Sequence, residues 1–291
     1  MKRVGAVLAG LVCLASADVR ADPNSPLIDG EYQVGTFGTL RLTSTQSKDR
    51  YAVKGAYVKG ERCGFAQSEL LLEGTLEGSV LIAGFTTCIE GAGCQSPAKL
   101  ALMAVIGDGS LTGYITLPKG CQAPGLEQRV TMQLVPTALR PAAKAFMTLS
   151  PPNFERAVPL LKRLSELPDG RNDVEVLFQL GSALNGQKDF LAGRQAFERA
   201  VALPAFPSTR PDTRALVFYN LGCAESVLSE KEPGLATLAV EHLKLALTVS
   251  KGASPGMREE LRNQIGSDSE LDAIRSHPEF QKAFGTKKAP R

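Results

Sequence analysis

Only a few side chains in this sequence have the types and spacing that catalysis requires. Ser96 and Lys99 have the S-x-x-K spacing of serine acyl-enzymes, but the partner tripeptides S-D-N and K-T-G are absent and Pro97 predicts a turn rather than a helix start. Two histidines, His242 and His277, leave little for acid–base chemistry. H-E-x-x-H, phosphate-loop and EF-hand patterns are also absent. We therefore predict a protein that is not an enzyme and that binds no cofactor or metal.

Four of the six cysteines lie close together in the first half of the chain. An even number of cysteines in an exported domain favours disulfides, and the absence of a C-x-x-C pair disfavours zinc. A short loop can close a local bridge, so we predict the pairs Cys88 with Cys94 and Cys63 with Cys121, although other pairings remain open.

The N-terminus predicts an export signal. Lys2 and Arg3 precede an apolar run over residues 4–15, which is shorter than the roughly twenty residues of a membrane helix. Small residues permit cleavage before Asp22 or, alternatively, before Asp18, and we place the end of the signal at residue 21.

The export signal also predicts the compartment. Cys13 could be the lipidated cysteine of a bacterial lipoprotein, but Val12 before it is larger than such signals use. No later segment is apolar enough to span a membrane. We expect a bacterial protein of the periplasm or the medium, without a membrane span.

Composition indicates two ordinary globular domains. The 291 residues are 43% hydrophobic and 22% charged, and the net charge of +3 is spread without a dense basic run, which argues against nucleic-acid binding. We predict a β domain over 27–135, a helical domain over 138–285 and a tail over 286–291.

The first domain shows the two-residue alternation of half-buried strands. Glycine-containing turns separate the strands about every ten residues, which predicts an antiparallel meander. It should form a β-sandwich or a small barrel, and we favour a filled interior lined by residues such as Leu71, Val80, Ile82 and Leu102. The later strands are predicted at 69–76, 79–87, 100–106, 111–117 and 128–135.

The glycine placement in these hairpins, as in Leu111 to Tyr114 and Leu72 to Gly74, resembles that of avidin-like and lipocalin-like barrels. The resemblance covers no ligand motif, and the chain lacks tryptophan, which both families commonly use. It implies a small-ligand carrier as the alternative function.

After Pro136 the apolar period becomes helical. Val174 to Leu203 reads VEVLFQLGSALNGQKDFLAGRQAFERAVAL, which resembles a tetratricopeptide unit. The matching positions are Leu177, Leu180, Gly181 and Leu184 on the first helix and Gly193, Phe197 and Ala200 on the second.

A second, less regular copy spans Leu216 to Val249. It matches at Phe218, Leu221 and Gly222 but has Glu225 where the family has tyrosine, and its turn is five residues longer. A half unit over 153–168 precedes the two copies, with 141–149 as its candidate first helix. Residues 271–284 are similar to the closing segment of bacterial arrays.

The tetratricopeptide resemblance, over about residues 140–285, implies a helical solenoid whose first helices line a groove for a peptide or partner helix. The implied groove residues are Phe178, Gln179, Ser182, Asn185, Tyr219, Asn220, Cys223 and Ser226. His242 should be a solvated surface residue. The predicted function is a non-catalytic protein–protein interaction scaffold with an unidentified partner.

Overall fold

The structure is a computed structural model that describes residues 28–48, 50–107 and 109–285. The predicted signal at 1–21, with Cys13, and the tail at 286–291 lie outside the described residues.

Eight antiparallel strands form a closed barrel in which each strand pairs with the next and β1 pairs with β8. The sandwich prediction is therefore wrong. Alternating burial is the same in a sandwich and a barrel, so the pattern alone does not reveal whether the first and last strands pair. The strands are β1 (Gly30–Val34), β2 (Gly38–Ser47), β3 (Arg50–Lys59), β4 (Leu70–Glu77), β5 (Val80–Thr87), β6 (Ala98–Gly107), β7 (Ser110–Ile115) and β8 (Arg129–Leu134).

Large apolar side chains fill the barrel interior. Leu71 and Leu102 are buried as expected, and a β-bulge opposite Gly55 and Ala56 lets two consecutive leucines of β4 be buried together. Val80 and Ile82 were assigned to the wrong face, because β5 turns its odd-numbered residues inward. Ile82 is 64% exposed, and Val80 is only half-buried. The inward-facing, fully buried residues include Leu40, Leu42, Leu72, Leu76, Leu81, Phe85 and Leu111.

Three loops, over 60–69, 88–97 and 116–128, meet at one end of the barrel and are joined by two disulfides. The prediction of two disulfides is confirmed, but the predicted pairing is wrong. Cys63 bonds to Cys88, and Cys94 bonds to Cys121. The 88–97 loop lies between the other two around the barrel, so each of its cysteines bonds to a different neighbour. The two bonds are consistent with an extracellular or periplasmic location.

Helices close the opposite end of the barrel. The left-handed residue Gly109, in the turn between β6 and β7, leaves room for Leu160 of the second helix, since a Cβ at Gly109 would lie 2.5 Å from Leu160 Cδ2. One buried apolar cluster runs from the barrel into the first helices. The helices are α1 (Pro136–Met147), α2 (Phe154–Glu166), α3 (Pro168–Arg171), α4 (Val174–Gly186), α5 (Phe190–Ala202), α6 (Pro211–Leu228), α7 (Leu235–Val249), α8 (Met257–Ser267) and α9 (Pro278–Phe284).

The helical region contains three consecutive pairs, α1 with α2, α4 with α5, and α6 with α7, and α8 and α9 follow them. Glycines let the partners approach closely: a Cβ at Gly181 would lie 2.6 Å from the Phe197 ring. The candidate first helix at 141–149 begins earlier than predicted, because Pro136 occupies its first turn. The pairs do not by themselves identify a tetratricopeptide solenoid, so the fold class is a closed barrel followed by a helical region. No helix of the described residues is long and apolar enough to cross a bilayer.

The disulfide pairing can be tested by counting thiols. In Cys63→Ser/Cys88→Ser the other bond stays intact, whereas in Cys88→Ser/Cys94→Ser both bonds are broken and two partner cysteines are released. Thiol titration under denaturing, non-reducing conditions should therefore find two more thiols in the second variant than in the first. Two fewer thiols in the second variant would instead support the pairs Cys88–Cys94 and Cys63–Cys121, and equal counts would support Cys63–Cys94 with Cys88–Cys121. Either result would contradict the structure.

Candidate partner-binding surfaces

Local sequence signals fix the ends of the two helices that carry the predicted groove residues. Asp173 caps α4, since its Oδ1 accepts hydrogen bonds from the backbone N–H of Glu175 at 2.8 Å and of Val176 at 3.2 Å. Pro211 occupies the first turn of α6. The inner faces of α4 and α6 meet side by side, and we call their shared surface the α4–α6 face.

Half of the eight predicted groove residues are buried. Asn185, Tyr219, Cys223 and Ser226 have less than a tenth of their surface exposed, and Ser226 has none. Phe178 is half-buried but belongs to an apolar cluster between helices, with its ring centroid 6.5 Å from that of Phe197. These five residues therefore pack within the helical region. The half-buried polar residues that remain on the face are Gln179, Ser182 and Asn220.

A segment of the chain itself covers part of the α4–α6 face. This covering segment, residues 268–274, consists of Asp268 and the 3₁₀ turn Ser269–Ile274. The Tyr219 hydroxyl donates to Asp268 Oδ2 at 2.5 Å, and Lys188 Nζ lies 2.9 Å from Glu270 Oε1. Leu271 and Ile274 are fully buried in the cluster that contains Tyr219 and Cys223. The covering segment, which overlaps the predicted closing segment at residues 271–274, therefore covers two of the predicted groove residues, Tyr219 and Cys223.

The cover changes the chemistry of the two residues beneath it. Burial raises the pKa of the Cys223 thiol, and the neighbouring carboxylates of Asp268 and Glu270 act in the same direction. Burial also raises the pKa of the Tyr219 hydroxyl. A thiol held in its neutral form is a poor nucleophile, so Cys223 should be unreactive in the folded protein.

Among the described residues, Cys223, Asp268 and Glu270 form the one group whose donor atoms could approach a common metal ion. These atoms lie within 4.8 Å of one another. Both carboxylates are already engaged, Asp268 by Tyr219 and Glu270 by Lys188. These contacts show that Asp268 and Glu270 anchor the covering segment.

The open part of the α4–α6 face is an ordered row of polar groups. Asn220 Nδ2 donates to Ser182 Oγ at 3.3 Å, and Asn185 Nδ2 donates to the Asn220 carbonyl at 3.2 Å. Gln179 Oε1 is out of contact with solvent and has no hydrogen-bond partner among the described residues. Asn185 Oδ1 is likewise buried without a partner among the described residues. The side chains of Ser182, Asn185 and Asn220 are thus oriented in advance, and two buried acceptors of the face are unused.

Glu225, the residue that departs from the tetratricopeptide pattern, binds a histidine. Its Oε2 lies 2.7 Å from His242 Nδ1, and its Oε1 lies 3.6 Å from Arg194 Nε. Glu225 is 1% exposed, so a buried carboxylate obtains two partners on neighbouring helices. The expectation that His242 is solvated is wrong: it is half-buried and stacks on Phe218, with ring centroids 5.9 Å apart.

The S-x-x-K residues do not form an acyl-enzyme site. Ser96 Oγ accepts a hydrogen bond from the Ile89 N–H at 3.2 Å, while Lys99 Nζ lies 3.6 Å from Glu73 Oε2. Ser96 therefore stabilises a loop, and Lys99 belongs to an exposed ion pair on the barrel wall.

Sequence reasoning missed a G-x-S-x-G spacing at residues 252–256. A nucleophile elbow needs a strand before the serine and a helix after it. Here a 3₁₀ turn, not a strand, precedes Ser254. The backbone N–H of Ser254 donates to Asp212 Oδ1 at 3.1 Å. The motif is a connection between α7 and α8.

The outer wall of the barrel has an apolar strip. Ile82, Met103, Val105 and Tyr114 are 64%, 59%, 50% and 60% exposed, respectively. Ile82 pairs with Met103, which pairs with Tyr114, so these residues are direct neighbours across β5, β6 and β7. Together they expose roughly 400–500 Å² of mostly apolar surface, which is the size of the largest apolar patch on a typical monomer, and such patches are often functional.

No protein-family model matches the sequence, and no curated protein shows significant similarity to it. The contacts of the described residues are therefore the basis for assigning a function.

The reactivity of Cys223 should report whether the covering segment is in place. We expect Asp268→Ala to increase alkylation of Cys223 at least about tenfold, because it removes the Tyr219 contact and the cap of the 3₁₀ turn. Peptide mass spectrometry after timed iodoacetamide treatment measures the rate at this cysteine. Asp272→Ala is the matched control, since Asp272 lies on the same segment but pairs only with Arg275. Equal rates in wild type and Asp268→Ala would show that the segment does not protect the thiol.

Proposed function

We propose that the protein is a non-catalytic scaffold that docks a protein partner on the open part of the α4–α6 face. The observation that carries the proposal is that the same face already holds a polypeptide. The covering segment binds there through two buried apolar anchors, Leu271 and Ile274, and two charged or polar contacts. A face that accepts a short irregular segment has the shape and chemistry that a partner segment needs.

The open part of the face suits a polypeptide backbone. Gln179, Ser182 and Asn220 supply amide and hydroxyl groups, which can donate to carbonyls and accept from N–H groups. Two of them are held by hydrogen bonds between α4 and α6, so little side-chain freedom is lost on binding. The tetratricopeptide resemblance supports this location.

The covered part has a different role in the proposal. Tyr219 and Cys223 hold the covering segment and stabilise the end of the helical region. The proposed docking site therefore contains fewer residues than the eight that the resemblance implies.

Export is part of the same proposal. Residues 1–21 have the charge and length of a signal peptide, and the two disulfides are consistent with an oxidising compartment. The scaffold would thus act in the bacterial periplasm or medium. The apolar strip on the barrel wall adds a second surface of the kind that protein partners use.

A blocking substitution tests the docking face. Ser182→Arg places a long charged side chain beside Asn220, and we expect it to reduce partner binding at least about tenfold by excluding the partner segment. The partner is first captured on immobilised full-length protein from the envelope fraction of the source bacterium. Its affinity for each variant is then measured by calorimetry.

Gln195→Arg is the matched control, because Gln195 is exposed on α5. Circular dichroism confirms that both variants fold. Capture that is equal for wild type and Ser182→Arg, or that yields no specific protein, contradicts the proposal.

The small-ligand carrier is a second candidate, which the closed barrel favours. The filled interior opposes it, since Phe85 and the surrounding leucines occupy the space that a ligand needs. We expect the wild-type barrel to bind no benzene by NMR, whereas Phe85→Ala should bind it in the cavity that the missing ring creates. The same substitution should reduce the free energy of unfolding by about 3–5 kcal/mol. Benzene binding inside the wild-type barrel would favour the carrier.

A further inference from the structure

A cleft lies at the disulfide-linked end of the barrel, away from the α4–α6 face. It lies between the 88–97 and 116–128 loops and has a volume of about 410 Å³, within the range of small-molecule sites. Its apolar wall includes Leu117, Pro124 and Leu126, and its polar groups are Glu90, Gln122 and Gln128.

The two loops that form the cleft are rigidly joined. Glu90 and Gln122 exchange a pair of backbone hydrogen bonds of 2.8 and 2.9 Å, and the Cys94–Cys121 disulfide links the same loops. The left-handed Gly125, which lines the cleft, lies against Phe37, and a Cβ there would be 3.0 Å from the Phe37 nitrogen. The walls are thus fixed before any ligand arrives, which reduces the entropy lost on binding.

The polar side chains of the cleft have no partners in the part of the chain that the structure describes. Over the described residues, the side chains of Glu90, Gln122 and Gln128 form no hydrogen bond or ion pair. The Glu90 carboxylate carries the one formal charge of the lining, and the two amides can each donate and accept. A cation with a short apolar substituent would match the charge, the amides and the apolar wall together.

We infer that this cleft is a binding site for a small organic ammonium group, with Glu90 as its counter-ion. The cationic nitrogen pairs with Glu90 and one glutamine carbonyl, while the attached carbons lie against Leu117 and Leu126. The site is independent of the scaffold proposal, because it shares no residue with the α4–α6 face. The ammonium group could belong to a free amine or to the N-terminus of a polypeptide.

The probe is n-butylammonium, which is compared with butan-1-ol and butyrate on the folded full-length protein by NMR titration. An exposed carboxylate and a small ligand predict a dissociation constant on the order of 1 mM for the cation. Binding should weaken at higher ionic strength, because the pair is solvent-exposed. Butan-1-ol and butyrate should bind at least about fivefold more weakly, since neither pairs with a carboxylate.

Glu90→Gln should weaken butylammonium binding about fivefold while leaving butan-1-ol unchanged. Glu61→Gln is the matched control: Glu61 is an exposed acid on the 60–69 loop at the same end of the barrel and does not line the cleft. Glu90 is itself exposed, so the variant should keep its fold, which circular dichroism checks.

Two outcomes overturn the site: equal binding of cation, alcohol and anion, or an unchanged dissociation constant in Glu90→Gln.

A dipeptide amide, Ala-Leu, distinguishes the sources of the ammonium group. Tighter binding than butylammonium, lost on N-acetylation, assigns the site to a polypeptide N-terminus. Binding no tighter than butylammonium assigns it to free amines. Loss of partner capture in Ser182→Arg would leave all of these results unchanged, so the two proposals can fail separately.

Discussion

The pairing of β1 with β8 is the contact on which the rest of the structure depends. It closes the barrel, and it places the end of β8 beside the start of β1, where the Val135 N–H donates to the Glu31 carbonyl at 2.9 Å. Pro136 begins α1 directly afterwards, so the closure also determines where the first helix starts. Helix α2 then packs at the Gly109 turn, α4 packs on α2, and each later pair packs on the one before. If β1 and β8 separated, the apolar interior of the barrel would be exposed and the helical region would lose the surface on which it packs.

The two ends of the barrel are closed by different physical means. At the helical end, the apolar core simply continues, and Leu139 and Leu160 extend the packing of the barrel leucines. At the other end, three irregular loops cannot bury much apolar surface between them. An aromatic group around Phe37 fills the opening, with its ring centroid 5.4 Å from that of Phe85, and two disulfides restrain the loops. Loops fixed covalently rather than by packing can leave a cleft between them without losing their conformation.

Local features of the fold could be predicted from the sequence, and long-range contacts could not. The strand predicted at 79–87 corresponds to Val80–Thr87, since alternation and glycine turns are local signals. Closure of the barrel and the disulfide pairing depend on which loops are neighbours around the barrel, which no local pattern encodes. The same limit applies to the site: the residues of α6 were placed on the correct helix, but the cover over Tyr219 comes from a segment 49 positions later.

Glu225 shows why a repeat pattern is an incomplete guide to a surface. The family places tyrosine at that position, and a carboxylate there would be unfavourable in a buried setting without partners. The chain supplies His242 and Arg194 from the adjacent helices, so the departure is compensated within the same layer of packing. Both partners are half-buried, so part of each side chain is used to satisfy Glu225. Assigning groove residues from a pattern assumes that buried positions are apolar and that polar ones are free. Here a polar core network and a covering segment break both assumptions, which confines the open polar surface of the α4–α6 face to Gln179, Ser182 and Asn220.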